Sequence, residues 1–306
     1  MTRATLQRQV RVWALAGLAL LGACSDRAGS AASPAASANP RLPEGRAGEV
    51  LARAIDAAGG WNEWRKIRDV SFISTLTIFD VRGEATSETI FLHKQPLHGG
   101  PVGRLESIGL REEVIFGYDG RDSWMSVGGR WVDHPQEKMF TEFHGVSSTL
   151  SFGLPFVLAE FDALSLEYAG EESDEEQRWE KIRLTYPKVY RSPIEWAVLY
   201  FDARTGLLDR VVAQVNAPFL NHPIWLGRWR EYRQVGGIRL ERVRSFYPAD
   251  EAGNAVSGLA AEQLIEHLQF DRSFPPALFR APLRAKGGSL VRGGQDGGDE
   301  RRAAAG

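Results

Sequence analysis

The stretch WAVLYFDARTGLLDRVVAQV, residues 196–215, decides the fold class. Its two ends, 196–202 and 210–215, are rich in the aliphatic, aromatic and β-branched residues that favour strands. Between them, Asp202-Ala203-Arg204-Thr205-Gly206 supplies residues typical of a tight turn. The stretch therefore predicts a β-hairpin, which is the building unit of an antiparallel sheet.

Strand character recurs along most of the chain. A second hairpin is predicted around Gly128 and Gly129, with Trp124 and Trp131 close to its turn. Ten or eleven antiparallel strands with short connections predict a mainly β (α+β) domain, a large curved sheet or open half-barrel. The remaining strands are predicted at residues 70–78, 88–93, 114–118, 164–169, 179–186, 228–234, 238–247 and 262–270.

A few helices should accompany the sheet. Apolar residues recur at helical spacing over 50–58, and Gly59-Gly60 ends that segment. A second short turn is predicted at 61–67. Residues 136–161 are apolar and aromatic but interrupted by glycine and proline, which predicts two or three short helices rather than strands.

The domain is flanked by segments that cannot pack. Residues 24–44 read as a flexible tether of Ala, Ser, Pro and Gly, and 285–306 read as a polar, Gly-rich disordered tail. One domain is expected over 45–284. The net charge is -2, and it becomes -5 without the three arginines of residues 1–23, so no basic field for nucleic acid exists.

The amino-terminal segment predicts export. Arg3, Arg8 and Arg11 form a positive n-region, and residues 12–21 form an apolar h-region. A helix of ten residues rises about 15 Å, half the hydrocarbon core of a bilayer, so it would not remain as a membrane span. Residues 1–23 are therefore expected to be a signal peptide.

Cys24 is the one cysteine of the 306 residues, and it ends the run LLGAC, residues 20–24. This run resembles the lipobox of bacterial lipoproteins. The resemblance implies a diacylglycerol on the thiol, cleavage before Cys24, and acylation of the new amino group, with palmitate among the acyl chains. Two or more acyl chains anchor a protein firmly to a membrane. The alternative is an ordinary secretory signal with a cysteine near its cleavage site by chance.

The residues after Cys24 bear on which membrane holds the anchor. The sorting rule of many Gram-negative lipoproteins places an inner-membrane retention signal, Asp, directly after the acylated cysteine. Ser25 occupies that place here and Asp26 comes one residue later. We therefore expect an outer-membrane lipoprotein that faces the periplasm. An exported chain with one cysteine has no intramolecular disulfide, so packing must stabilise it.

The order of elements resembles the outer-membrane lipoprotein-carrier (LolA/LolB-like) superfamily over residues 46–282. The likeness follows the turn Asp202-x-x-Thr205-Gly206-Leu207-Leu208, then WREY at 229–232, GIRL at 237–240 and a closing strand at 265–270. It extends to bacterial lipoproteins of this architecture whose first helix ends with Gly-Gly and an aromatic residue. The resemblance implies a half-barrel with a hydrophobic concavity able to hold acyl chains, and it assigns no ligand residue.

Candidate residues for that concavity are large and apolar. The stretch PFLNHPIWL, residues 218–226, is apolar and punctuated by prolines, which predicts a rim or lid loop. The alternative for every candidate is ordinary packing in the core. The candidates for the apolar pocket or its rim are Trp124, Trp131, Phe152, Phe156, Trp196, Phe219 and Trp225.

Catalytic signals are few. Motifs for zinc hydrolases, serine hydrolases, dinucleotides and phosphate loops are not found, and no nucleophile stands beside a base in the sequence. His93, His98 and His134 could converge, but the six histidines lack zinc spacing, so neither metal nor cofactor is expected. The acidic run 171–176 reads as a solvated hairpin tip, with calcium binding as a weaker alternative.

These features predict a non-catalytic envelope lipoprotein that binds lipid, or the acyl chain of a lipidated protein, in an apolar concavity. One alternative is an interaction module whose sheet is filled by its own helices and whose outer surface recognises envelope proteins. A second alternative is a hydrolase that acts on envelope polymers, which the missing motifs disfavour.

Overall fold

The computed structural model describes residues 37–120, 122–132, 141, 143–144, 151–160, 164–185, 194–217 and 220–281. The predicted signal peptide, Cys24, most of the tether and the 285–306 tail lie outside the described residues. Among the helices that are described, none combines the length and the apolar character needed to cross a bilayer.

One antiparallel sheet of 13 strands forms the body of the domain, and two further strands pair separately. The strands are β1 (Asp69–Phe79), β2 (Ala85–Pro96), β3 (Gly103–Ile108), β4 (Val114–Tyr118), β5 (Ser123–Val127), β6 (Arg130–Val132), β7 (Ser165–Ser173), β8 (Arg178–Thr185), β9 (Ile194–Asp202), β10 (Leu208–Val215), β11 (Ile224–Arg230), β12 (Arg233–Val235), β13 (Ile238–Leu240), β14 (Val243–Pro248) and β15 (Ala261–Phe270).

The sheet is open. Its order is β6-β5-β4-β3-β2-β1-β15-β14-β11-β10-β9-β8-β7, so the last strand pairs with the first at the centre and joins the two halves. In the described residues β6 and β7 are the outer strands and do not pair with each other. The predicted fold, a large curved antiparallel half-barrel over a few helices, is confirmed, with 13 strands where ten or eleven were expected.

The hairpin predicted at 196–215 is confirmed by β9 and β10. Asp202 Oδ1 closes the turn by accepting hydrogen bonds from the backbone N–H groups of Arg204 (3.0 Å) and Thr205 (2.6 Å). Gly206 has a φ of 74°, which favours glycine, and a Cβ there would lie 2.9 Å from the Cβ of Ala57. The turn therefore sits directly against the first helix.

The sheet has an inner and an outer apolar face because buried residues alternate along its strands. On β2, for example, Thr89, Phe91, His93 and Gln95 are buried and the residues between them are partly exposed. The inner face carries the main hydrophobic core. A second, smaller cluster covers the outer face of the later strands and consists of Trp179, Tyr200, Val212, Ile224, Leu226 and Ala249.

The α-helices whose bounds the structure describes lie on the inner side: α1 (Arg46–Ala57), α2 (Trp61–Trp64) and α3 (Leu154–Glu160). Helix α1 buries an apolar face that includes Leu51 and Ile55, as its spacing predicts. It ends two residues before Gly59, which has a φ of 116° and where a Cβ would lie 2.4 Å from the carbonyl oxygen of Gly237. A short 3-10 helix (Pro276–Leu278) follows the sheet.

Three details differ from the sequence analysis. Strand β3 was not predicted. The single strand expected at 238–247 is broken between β13 and β14, and β12 with β13 forms a separate ribbon over α1, where Arg239 N donates to Ala58 O (2.7 Å). The loop expected over 218–226 ends at Pro223, because both prolines precede β11 and leave its ladder N–H groups intact.

Candidate functional site

A short segment fills the concave face of the half-barrel. Residues 151–160, hereafter the plug, comprise Ser151, Phe152, Gly153 and helix α3. Phe156 stacks on Trp64 with ring centroids 4.6 Å apart and an interplanar angle of 3°. Phe152 stacks on Phe72 of β1 at 5.2 Å. The plug therefore joins the sheet to α2 through aromatic contacts, which add to its apolar burial.

The carboxyl end of the plug is held by polar contacts. Glu160 Oε1 accepts a hydrogen bond from Trp64 Nε1 at 2.9 Å and lies 2.7 Å from His98 Nδ1. The carbonyl oxygen of Ala159 accepts from the backbone N–H of Arg41 at 2.9 Å. Both side chains that meet Glu160 are buried, so this end of the helix is fixed by groups that water does not reach.

The amino end of the plug is held by a buried arginine. Arg244 lies on β14, points into the concave face and is 2% exposed. Its guanidinium donates to Ser151 Oγ (2.9 Å), to the Ser151 carbonyl oxygen (3.1 Å) and to Gln263 Oε1 (3.3 Å). Glu241 supplies the opposite charge at 2.9 Å from Nε. A buried charge is tolerated only with such partners.

A serine and a histidine meet beside this arginine. Ser74 Oγ lies 2.7 Å from His93 Nε2, and both side chains are buried. Burial, followed by the charges of Arg244 and His144, lowers the pKa of His93 from 6.5 to about 3, so the ring is neutral. His93 Nδ1 has no hydrogen-bond partner among the described residues.

The Ser74–His93 pair is one the sequence analysis missed, because the two residues are 19 positions apart and match no motif. A hydrolytic serine needs access to substrate and a group that orients its histidine. Ser74 is 0% exposed, so substrate does not reach it in this conformation. In this conformation the Ser74 hydroxyl and His93 Nε2 serve as hydrogen-bond partners for each other within the core.

Side chains fill the concave face of the described residues. The sequence analysis expected a concavity with room for a guest, whereas the space beneath the plug is a cavity of about 10 Å³. That is room for about one water molecule. It lies between α1, the start of α3 and the β12–β13 ribbon, and Gly153, Tyr232 and Glu241 line it. A larger guest requires the plug to move.

The predicted pocket residues divide between the two faces of the sheet. Phe152, Phe156 and Trp225 belong to the inner core, and each is at most 2% exposed. Trp196 lies on the outer face, where its Nε1 donates to Gln214 Oε1 at 2.7 Å. Phe219 lies outside the described residues.

The remaining two tryptophans also face outward. Trp124 pairs with Gly117, and Trp131 pairs with Ser126 on the side of β5 opposite the core residue Met125. The Trp124 ring occupies the space where a Gly117 side chain would be, and its Nε1 donates to Phe279 O at 3.1 Å. The structure thus brings Phe152 and Phe156 together and separates them from these tryptophans.

Trp64 and Arg244 are two further residues of the site that sequence reasoning missed. Trp64 was placed in a short turn beside the first helix, without a link to residue 156. Nothing in the sequence singled out Arg244, because charged residues also occur on the exposed faces of strands, as Arg228 and Arg230 do. No group of three or more His, Cys, Asp and Glu side chains suited to a metal occurs in the described residues.

Comparisons with known proteins place the fold. No protein-family model matches the chain, and no curated protein matches it. A DUF1329 family protein from Desulfovibrio piger matches in structure with a TM-score of 0.52 at 12% identity, over 76% of this chain and 96% of that one. The chain shares the fold of that protein.

Two further solved structures match the chain more loosely. A LolA superfamily protein from Nitrosomonas europaea has a TM-score of 0.48 at 10% identity, over 76% of this chain and 97% of that one. A domain named for outer membrane lipoprotein sorting, from Vibrio parahaemolyticus, has a TM-score of 0.47 at 12% identity, over 76% of this chain and 94% of that one. Only the first match supports a shared fold, and its identity is too low to support more than that.

Proposed function

We propose that this chain is a non-catalytic envelope lipoprotein that binds a lipid, or the acyl chain of a lipidated protein, on the concave face of its half-barrel. Acylated Cys24 would anchor it to a membrane, the outer membrane facing the periplasm. The observation that carries the proposal is the plug: a short helix, not a strand, supplies the apolar side chains that complete the core of an open sheet. An acyl chain offers the same apolar surface.

The energetics of such an exchange depend on the length of the chain. Burying hydrocarbon is worth about 0.8 kcal/mol per methylene, so a chain of about 15 methylenes gains roughly 12 kcal/mol. Exposing the large apolar side chains of the plug costs about 1.5–3 kcal/mol each. These side chains are Phe152, Leu154, Phe156, Val157 and Leu158. The contacts at Glu160 and Ser151 are further costs of opening, so a short chain cannot displace the plug and only a long one can balance its loss.

Native mass spectrometry of the full-length protein, released in a mild detergent, tests the proposal. We expect co-purifying lipid that is lost on denaturation, and saturable binding of a fluorescent long-chain lipid. Repeated absence of both contradicts the proposal. Phe156→Ala, which empties part of the plug, should raise the rate of uptake, whereas a change at the exposed Tyr168 should leave it unchanged.

The filled concave face favours a second candidate, a protein-interaction module. In that case the outer face would bind the partner, and Arg183 over Trp196 (4.9 Å) is an example of the exposed cation–aromatic pairs found there. Paired variants separate the two functions. Faster lipid uptake in Phe156→Ala with normal partner capture supports the first, and loss of partner capture in Trp196→Ser with normal lipid uptake supports the second.

A further inference from the structure

The plug presents two oxygen atoms of one residue to a buried guanidinium. Arg244 Nη1 donates to Ser151 Oγ at 2.9 Å and Nη2 donates to the Ser151 carbonyl oxygen at 3.1 Å. Both oxygens belong to the segment that must leave if a guest enters. Departure of the plug therefore exposes two charged N–H donors at one point of an otherwise apolar face. Leaving them unpaired would be costly.

A second donor lies close to this point. Trp229 is buried on the inner face of β11, and its Nε1 has no hydrogen-bond partner among the described residues. Its ring centroid is 5.9 Å from Arg244 Cζ. An indole N–H can only donate, so it calls for an acceptor. The concave face thus carries a cluster of donors beside the cavity that Glu241 lines.

We propose that the concave face binds a polar head as well as a chain, and that the head is a neutral carbonyl group of an acyl ester or amide that accepts hydrogen bonds from Arg244. This inference rests on the proposed function and adds the chemical class of the ligand. In the closed conformation two neutral oxygens of Ser151 accept the hydrogen bonds of Arg244. In the open conformation the ligand carbonyl takes their place.

The negative charge of Glu241 favours a neutral head over a free carboxylate. Glu241 already pairs with Arg244 through Nε and Nη2, and both side chains are at most 6% exposed. A ligand carboxylate would add a second negative charge within a few ångströms of Glu241 in a region of low dielectric constant. An ester or amide carbonyl accepts the same N–H groups without that repulsion.

Photo-crosslinking of the full-length protein in dodecyl maltoside micelles, whose detergent carries no carbonyl group, tests the inference. Three diazirine probes with the same chain are compared: a monoacylglycerol ester, the matching alkyl glycerol ether, which lacks the carbonyl, and the free fatty acid. We expect half-maximal labelling at concentrations about tenfold lower for the ester than for the ether, because one charge-assisted hydrogen bond is lost. The ionised acid should also label more weakly than the ester.

Variants test whether Arg244 causes the preference for the ester over the ether. Arg244→Gln alone leaves Glu241 buried without its partner and is expected to be unstable. The double variant Glu241→Gln/Arg244→Gln removes both charges and should bring the ester-to-ether ratio close to one. Ser151→Ala removes one competing acceptor and should increase labelling by the ester. Arg228→Gln, an exposed arginine on the outer face of β11, serves as the matched control and should change nothing.

The outcomes separate this inference from the proposed function. Equal labelling by ester and ether, or strongest labelling by the acid, overturns the carbonyl site while leaving lipid binding intact. Absence of saturable labelling by all three probes contradicts the proposed function itself. An ester preference that survives in the folded double variant assigns the carbonyl to another residue and overturns the role of Arg244.

Discussion

Trp64 and Phe156 stack face to face, with centroids 4.6 Å apart, although they are 92 positions apart in the chain. Trp64 stands in the short helix after α1, and Phe156 is the central aromatic residue of the plug. The same indole donates its N–H to Glu160, one turn further along α3. Trp64 thus contacts the plug in two ways, through the face of its ring and through its N–H group.

Phe156→Ala is expected to lower the free energy of unfolding by about 3–5 kcal/mol, because it removes a fully buried ring and leaves a cavity against Trp64. Denaturant titration followed by circular dichroism measures the change. Tyr168→Ala, at a position 36% exposed, should change stability by no more than about 0.5 kcal/mol. A Phe156 variant as stable as the Tyr168 variant would show that the plug is not part of the core.

Stability should fall in mild acid because of His93. Burial first, and then the charges of Arg244 and His144, lower its pKa to about 3, against 6.5 in the unfolded chain. Between those values the unfolded state binds more protons, so stability falls as the pH decreases through this window. From pH 7 to pH 5 this residue accounts for a loss of about 2 kcal/mol.

Comparison of two histidine variants by denaturant titration at pH 7 and pH 5 checks this pH dependence. His93→Gln should lose less stability in acid than the parent protein does. His267→Asn changes an exposed histidine whose φ of 50° asparagine tolerates, and it should keep the parent pH dependence. If both variants respond to pH like the parent, His93 does not stay neutral in the folded core.

Gly117→Ala tests the outward orientation of Trp124. A Cβ at Gly117 would lie 2.1 Å from Trp124 Cε2, so the indole must move and its bond to the Phe279 carbonyl must break. We expect a loss of about 1–3 kcal/mol from overpacking and a red shift of tryptophan fluorescence. Gly258→Ala meets nothing within 4 Å and should be neutral. Equal behaviour of the two variants would contradict this placement of the ring.

Cys24 should carry acyl chains in the mature protein. Metabolic labelling with palmitate, followed by mass spectrometry of the amino-terminal peptide, is expected to find an acylated Cys24 as the first residue. Cys24→Ala should abolish the label and leave the precursor uncleaved at this site. An unmodified cysteine, or cleavage elsewhere in a chain that dissociates freely from membranes, would support the ordinary secretory signal instead.

The sequence predicted the sheet better than the site. Strand propensity and turn chemistry are local, so the hairpin at Asp202–Gly206 and the helix stop at Gly59 could be read from neighbouring residues. The face on which Trp124, Trp131 or Trp196 points depends on register. The pairing of Arg244 with Ser151 depends on long-range packing across 93 positions. Neither is visible in a single sequence.

Hydrogen–deuterium exchange of the plug, with and without a long-chain monoacylglycerol, tests the central claim most directly. If lipid replaces the plug, amides of residues 151–160 should exchange faster when lipid is bound, while those of the β9–β10 hairpin stay protected. Unchanged protection of the plug at lipid concentrations that saturate the protein would contradict the account, because the guest would then bind elsewhere.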